Sequence, residues 1–112
     1  MNSTNLNELK CTPCTGKTKK LSNAEIEANL KKLDNWSINN ENKMIFKKYS
    51  FKNFNESLNF ANLVGKVSNE EGHHPDVSIG YSYCLIMLHT HAIKDLSIND
   101  FILAHKIDKI EI

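Results

Sequence analysis

The stretch Glu71-Gly-His-His-Pro-Asp76 sets two adjacent imidazoles between carboxylates, and His89-Thr-His91 follows a short way along the chain. Four of the five histidines thus fall between positions 73 and 91. Imidazole has an unperturbed pKa of about 6.5, so a group of them can keep one member protonated and another neutral near neutral pH. That is the requirement for an acid and a base in one step. If the chain turns at about Ser82, cross-strand partners have residue numbers summing to about 164, which sets His73 and His74 opposite His91 and Thr90, with facing Cβ atoms about 5 Å apart. Three imidazoles from two segments then line one pocket.

Two other readings of the same residues stand beside this one. His89 and His91 lie on one strand face, and Asp76 or Glu71 could complete a metal-ligand set. Alternatively, His-His-Pro is a loop that stops a helix and its rings are surface residues. Taken singly, His89 reads as an exposed strand residue and His105 as a solvated helix position. Asp100 is explained by capping and by the helix dipole, yet at nine residues beyond His91 it could also orient an imidazole. Cys11-Thr-Pro-Cys14 is half of a zinc or redox motif, and Cys84 is the only other cysteine; the simplest reading is an untethered arm. Cys84, inside an apolar run, reads as a small core residue.

The elements that must position these groups follow from pattern. Residues 1–20 are polar and Lys-rich without an apolar period, and read as a flexible or loosely docked arm before a domain spanning residues 21–112. Ser22 to Glu25 is a capping box, Leu21 and Ile26 form a hydrophobic staple, and Ile26, Leu30 and Leu33 mark a helix over about residues 22–33. Trp36 to Ile38 alternates as a short strand. Residues 43–51 form a second strand, with Ile45, Tyr49 and Phe51 on one face and Met44 and Phe46 on the other. Asn53 to Glu56 caps a second helix whose Phe60, Leu63, Val64 and Val67 repeat at helical spacing. Gly72 ends it and Pro75 forbids its continuation, which pins the two histidines in a short loop. Residues 77–81 and 83–90 read as a hairpin. Ser97 to Asp100 is another capping box, stapled by Leu96 and Phe101, and opens a last helix with Leu103, Ala104, Ile107 and Ile110 on its apolar stripe. The expected fold is α+β in the order α-β-β-α-β-β-α, a four-stranded antiparallel sheet with three helices on one face. A bare sheet edge in so small a domain argues for a homo-oligomer, a dimer or a tetramer.

Composition narrows the function classes. The 112 residues suffice for one modest core, and 40% apolar with 24% charged residues is ordinary for a globular domain. Fourteen basic against thirteen acidic residues leave a net charge of +1, so no global field draws the chain onto nucleic acid or an anionic membrane. The N-terminus lacks the apolar stretch of a secretory signal, and the longest apolar run, Cys84 to Leu88, is far too short to span a bilayer. The expected place is the cytoplasm, where an odd number of cysteines forms no disulfide framework.

Glu71-Gly-His-His-Pro-Asp76, Tyr81, Leu88-His-Thr-His91 and Leu96-Ser-Ile-Asn-Asp100, at these spacings and with Trp36 and Phe51 to Phe54, resemble the pterin-4a-carbinolamine dehydratase family from about Leu21 to Asp108. The resemblance implies a lyase that converts 4a-hydroxytetrahydropterin to quinonoid dihydropterin and water. That step recycles the tetrahydrobiopterin-type cofactor spent by an aromatic amino-acid hydroxylase. It implies neither a metal nor a cofactor of the enzyme's own. His73, His74 and His91 match the family's catalytic histidines and Asp100 its supporting acid. Gly72, His73, His74 and Pro75, with His89, Thr90, His91 and Ala92, match the two stretches bordering the pterin. The chain departs at Asn69, where the family often has glutamate, and at Val77, where it often has tryptophan. Animal relatives that double as partners of a transcription factor give the alternative of a binding or dimerisation module.

Overall fold

A computed structural model describes Leu6 and residues 9–111. Its elements run α1 (Asn23–Leu30), β1 (Ser37–Asn39), β2 (Met44–Ser50), α2 (Phe54–Glu71), β3 (Asp76–Gly80), β4 (Tyr83–Leu88) and α3 (Ile98–Asp108). The order is the expected one. The four strands form one antiparallel sheet ordered β1-β2-β4-β3.

Period-two alternation in β4 buries Cys84, Ile86 and Leu88 completely and leaves Tyr83, Leu85 and Met87 half-buried on the opposite face. Ile45 of β2 pairs with Leu88 and shares its buried face. Phe60 and Val64 of α2 and Phe101, Leu103 and Ile107 of α3 join these residues in one core cluster. Burying a side chain of this size stabilises the fold by about 1.5–3 kcal/mol. α2 packs on β3 and β4, and α3 packs on α2, so the loop after α2 and the start of α3 meet at one end of the sheet.

Caps set the helix ends that matter. Ser22 and Glu25 close a reciprocal capping box on α1, as Ser97 and Asp100 do on α3. The Asn53 side chain accepts the Glu56 amide to start α2. Gly72 stops α2 in the left-handed conformation at φ 68°, which a side chain would strain. α1 ends at Leu30, earlier than its apolar spacing predicts. The Lys32 and Leu33 amides bond instead to carbonyls three residues back, tightening the chain into a turn that still buries Leu33.

The hairpin register differs from expectation by one residue. Gly80 pairs with Tyr83, so only Tyr81 and Ser82 form the turn, and pairing ends at Asp76 with Met87. His73 and His74 therefore precede the ladder and have no cross-strand partners. Among the described residues no helix is long and apolar enough to cross a membrane.

Candidate active site

Asp100 joins the segments that strand pairing does not. As the third residue of α3 it accepts the Ser97 amide on Oδ2 at 3.0 Å, and the same oxygen accepts the Thr90 hydroxyl at 2.8 Å. Oδ1 receives Nε2 of His73 at 2.7 Å. One carboxylate thus caps a helix, holds the loop after α2 and holds the chain after β4. His73, Thr90, Ser97 and Asp100 are all buried. In a dry setting such bonds are stronger than in water, and removal of any one partner leaves an orphan. The Thr90 and Ser97 hydroxyls lie 2.7 Å apart and complete the network.

Around this buried group stands a more open rim. His74 is exposed, with Nε2 2.9 Å from Oδ1 of Asn69, in the last turn of α2. Asn69, the residue at which the chain departs from the family pattern, thus serves as a neutral acceptor for an imidazole N–H. His89 is half-buried, with Nε2 3.6 Å from Asp76 and its ring 4.1 Å from that of His91. It is therefore more than an exposed strand residue. His91 and Ala92 are exposed at the start of a turn in which the Thr90 amide bonds to the Asp95 carbonyl and the Lys94 amide to the His91 carbonyl. Thr90, between the two rings, is fixed by Asp100, and the rim is thereby tied to the buried group.

Several residues lie away from their sequence-based places. Cys11 to Cys14 are tethered: the Cys11 amide bonds Glu71 Oε1 at 2.9 Å, and the Asn99 side chain exchanges hydrogen bonds with the Thr12 backbone at 3.0 and 2.7 Å. The Cys14 sulfur lies 3.5 Å from Nδ1 of His73. Burial first, then the charges of Glu71 and Asp100, pushes the Cys11 thiol up to about 12. Burial also raises Cys84, as suits a thiol inside the sheet core. His105 is half-buried with its Nε2 lacking a partner; burial, with Lys109 next in weight, lowers its pKa. Among the described residues no three His, Cys, Asp or Glu side chains are grouped to share a metal ion. Glu71 turns to Cys11 and Lys106, and Asp76 to His89.

The geometry can move protons between exposed imidazoles and a ligand while a buried carboxylate holds the frame. A family model described as pterin 4 alpha carbinolamine dehydratase matches residues 19–110. A candidate pterin-4-alpha-carbinolamine dehydratase of Nitrosospira multiformis is 46% identical over 99 residues, covering 88% of this chain and 86% of its own. Its counterpart from Halorhodospira halophila is 38% identical over 103 residues, covering 92% and 94%. A crystal structure of a transcriptional coactivator/pterin dehydratase from Brucella melitensis superposes with a TM-score of 0.76, covering 80% of this chain and 96% of that one. At 23% identity it speaks for the fold alone. A pterin dehydratase-like protein identified as a RuBisCO assembly factor in the alpha-carboxysome shares the fold more loosely, with a TM-score of 0.57, 22% identity and coverage of 67% and 87%. With the family model spanning most of the chain and relatives aligned nearly end to end, the chain belongs to the pterin-4a-carbinolamine dehydratase family.

Proposed function

We propose that this chain carries out its family's dehydration with His74 and His91 as the groups that exchange protons with the pterin, and with His73 and Asp100 as the frame behind them. The reaction breaks the C4a–O bond of a 4a-hydroxytetrahydropterin. A proton joins the departing hydroxyl to make water, N5 loses its proton, and the electron pair left there closes the C4a=N5 bond of the quinonoid dihydropterin. An imidazolium near the hydroxyl and a neutral imidazole near N5 perform both transfers. Gly72 to Pro75 and His89 to Ala92 border the ligand in this reading.

The observation that carries it is the contrast in access. His73 is 5% exposed and bonded to Asp100, whereas His74 and His91 face solvent, where a planar ligand can reach them. Roles for the rim therefore follow from exposure, and the frame's role from its bonds. The deciding assay generates the 4a-carbinolamine and follows its decay with and without the protein. His74→Ala and His91→Ala are each expected to slow the catalysed decay by about 10²- to 10⁴-fold. Turnover unchanged in both would sink this assignment.

The substrate comes from a monooxygenation that leaves oxygen on C4a of a tetrahydropterin, the chemistry of an aromatic amino-acid hydroxylase, and the cytoplasm is where we place the exchange. Edge strand β3 is exposed along most of its length, with Val77 40% and Ile79 37% exposed. Such an edge favours a homodimer or homotetramer, which sedimentation of the purified chain tests; a monomer at all concentrations would rule it out.

A further inference from the structure

We propose that Cys14 is a positioning residue of this site, its thiol donating to Nδ1 of His73 and thereby fixing that ring's orientation in the tautomer that Asp100 sets. The inference rests on the reading that the His73–Asp100 pair supports the dehydration. It starts from the polarity of the bonds. Oδ2 of Asp100 accepts from Ser97 N–H and from the Thr90 hydroxyl, and Oδ1 faces Nε2 of His73. A carboxylate has acceptors only, so the ring donates from Nε2. In the neutral ring Nδ1 is then an acceptor, and the Cys14 sulfur stands 3.5 Å from it. The thiol is the group that can supply the hydrogen.

The thiol is itself held. Asn99 Nδ2 donates to the Cys14 sulfur at 3.1 Å and to the Thr12 carbonyl at 2.7 Å, while Asn99 Oδ1 accepts the Thr12 amide at 3.0 Å. Both hydrogens and the oxygen of one buried amide are used on the arm. Asn99 and Asp100 are adjacent in the first turn of α3. One turn therefore grips opposite sides of the His73 ring, directly through Asp100 and through the arm by Asn99 and Cys14. Cys11 anchors the same arm through other bonds, its thiol 3.5 Å from the Asn99 carbonyl and its amide on Glu71.

The test uses the full chain labelled in its histidine rings, with imidazole nitrogen NMR read beside the dehydration assay. The native chain is expected to show His73 as a single tautomer protonated at Nε2. Cys14→Ala should displace the Nδ1 signal while Asp100 keeps the ring protonated at Nε2, with kcat down about three- to tenfold, the worth of one hydrogen bond, and KM little changed. Cys14→Ser, which restores a donor, should recover most of both readouts. Cys11→Ser should leave the His73 signals as in the native chain. The proposal is overturned if Cys14→Ala leaves either the His73 signals or kcat unchanged. It is equally overturned if Cys11→Ser displaces the signals as far, because docking of the arm would then be the agent. Should His74→Ala and His91→Ala both retain full activity, the assignment of the rim fails, while the nitrogen signals still decide whether Cys14 holds the ring.

Discussion

His73 is buried and bonded through both ring nitrogens, to Asp100 and to Cys14, whereas His74, next along the chain, is exposed with one bond from Nε2 to Asn69. The same contrast recurs after β4, where Thr90 is buried on Asp100 and its neighbour His91 is exposed. Each segment thus sends one residue inward and the next outward. Folding builds the inward set into a closed network. The outward set keeps its rings available to a ligand. The difference teaches that adjacency in sequence divides labour here, and that frame and rim should fail in different ways.

The largest effect that separates them is kinetic. His91→Ala should cost about 10²- to 10⁴-fold in dehydration rate while leaving the urea midpoint close to native, exposed substitutions being worth about 0.5 kcal/mol or less. Asp100→Ala strips an acceptor from His73, Thr90 and Ser97 together, and each buried donor left unsatisfied costs about 1–3 kcal/mol. Against a total of about 5–15 kcal/mol, its midpoint should fall markedly along with the rate. A stable Asp100→Ala protein, or a His91→Ala protein that unfolds early, would break the distinction.

How much of this division is legible in the sequence depends on the range of the bonds involved. The capping box at Ser97 to Asp100 and the stop at Gly72 are local, need only their own few residues, and lie where pattern puts them. The second use of Asp100, on an imidazole, is also readable as a possibility from its nearness to His91, although the ring it holds is His73. Hairpin arithmetic about Ser82 missed by one residue, because a two-residue turn and a three-residue turn have similar residue types. It also extended the ladder to residues that lie beyond its end. Cys14 and Asn99 carry no such local signal. Their bond joins positions 85 apart, and a polar residue early in α3 looks like any other until the arm is seen to lie on it.

A smaller effect sharpens the comparison at the hinge between frame and rim. Gly72 adopts φ 68°, and a Cβ built there meets nothing within 4 Å. Gly72→Ala should therefore cost only the left-handed backbone penalty of about 1–2 kcal/mol. Denaturant unfolding gives that number. Activity should fall further than His73 loses its Asp100 contact, since relief of the strain would re-aim the exposed His74 while the buried ring is still held. Equal loss in both would mean the two histidines move as one unit.

The smallest effect concerns the arm that lies against the frame. Burial acts to raise the Glu71 pKa, but the Cys11 backbone amide and the cations Lys106 and Lys10 outweigh it, and the net shift is downward. A carboxyl with a depressed folded value binds fewer protons folded than unfolded, so it contributes stability above the ordinary glutamate value of about 4.3, lost as pH falls through the folded value. Glu71→Gln keeps an acceptor for Cys11 and removes the titration. Its unfolding midpoint should accordingly decline less steeply than that of the native chain below about pH 4.3. Parallel declines would mean that the charge of Glu71 does not hold the arm. The Cys14 thiol would then depend on Asn99 alone for its place beside His73.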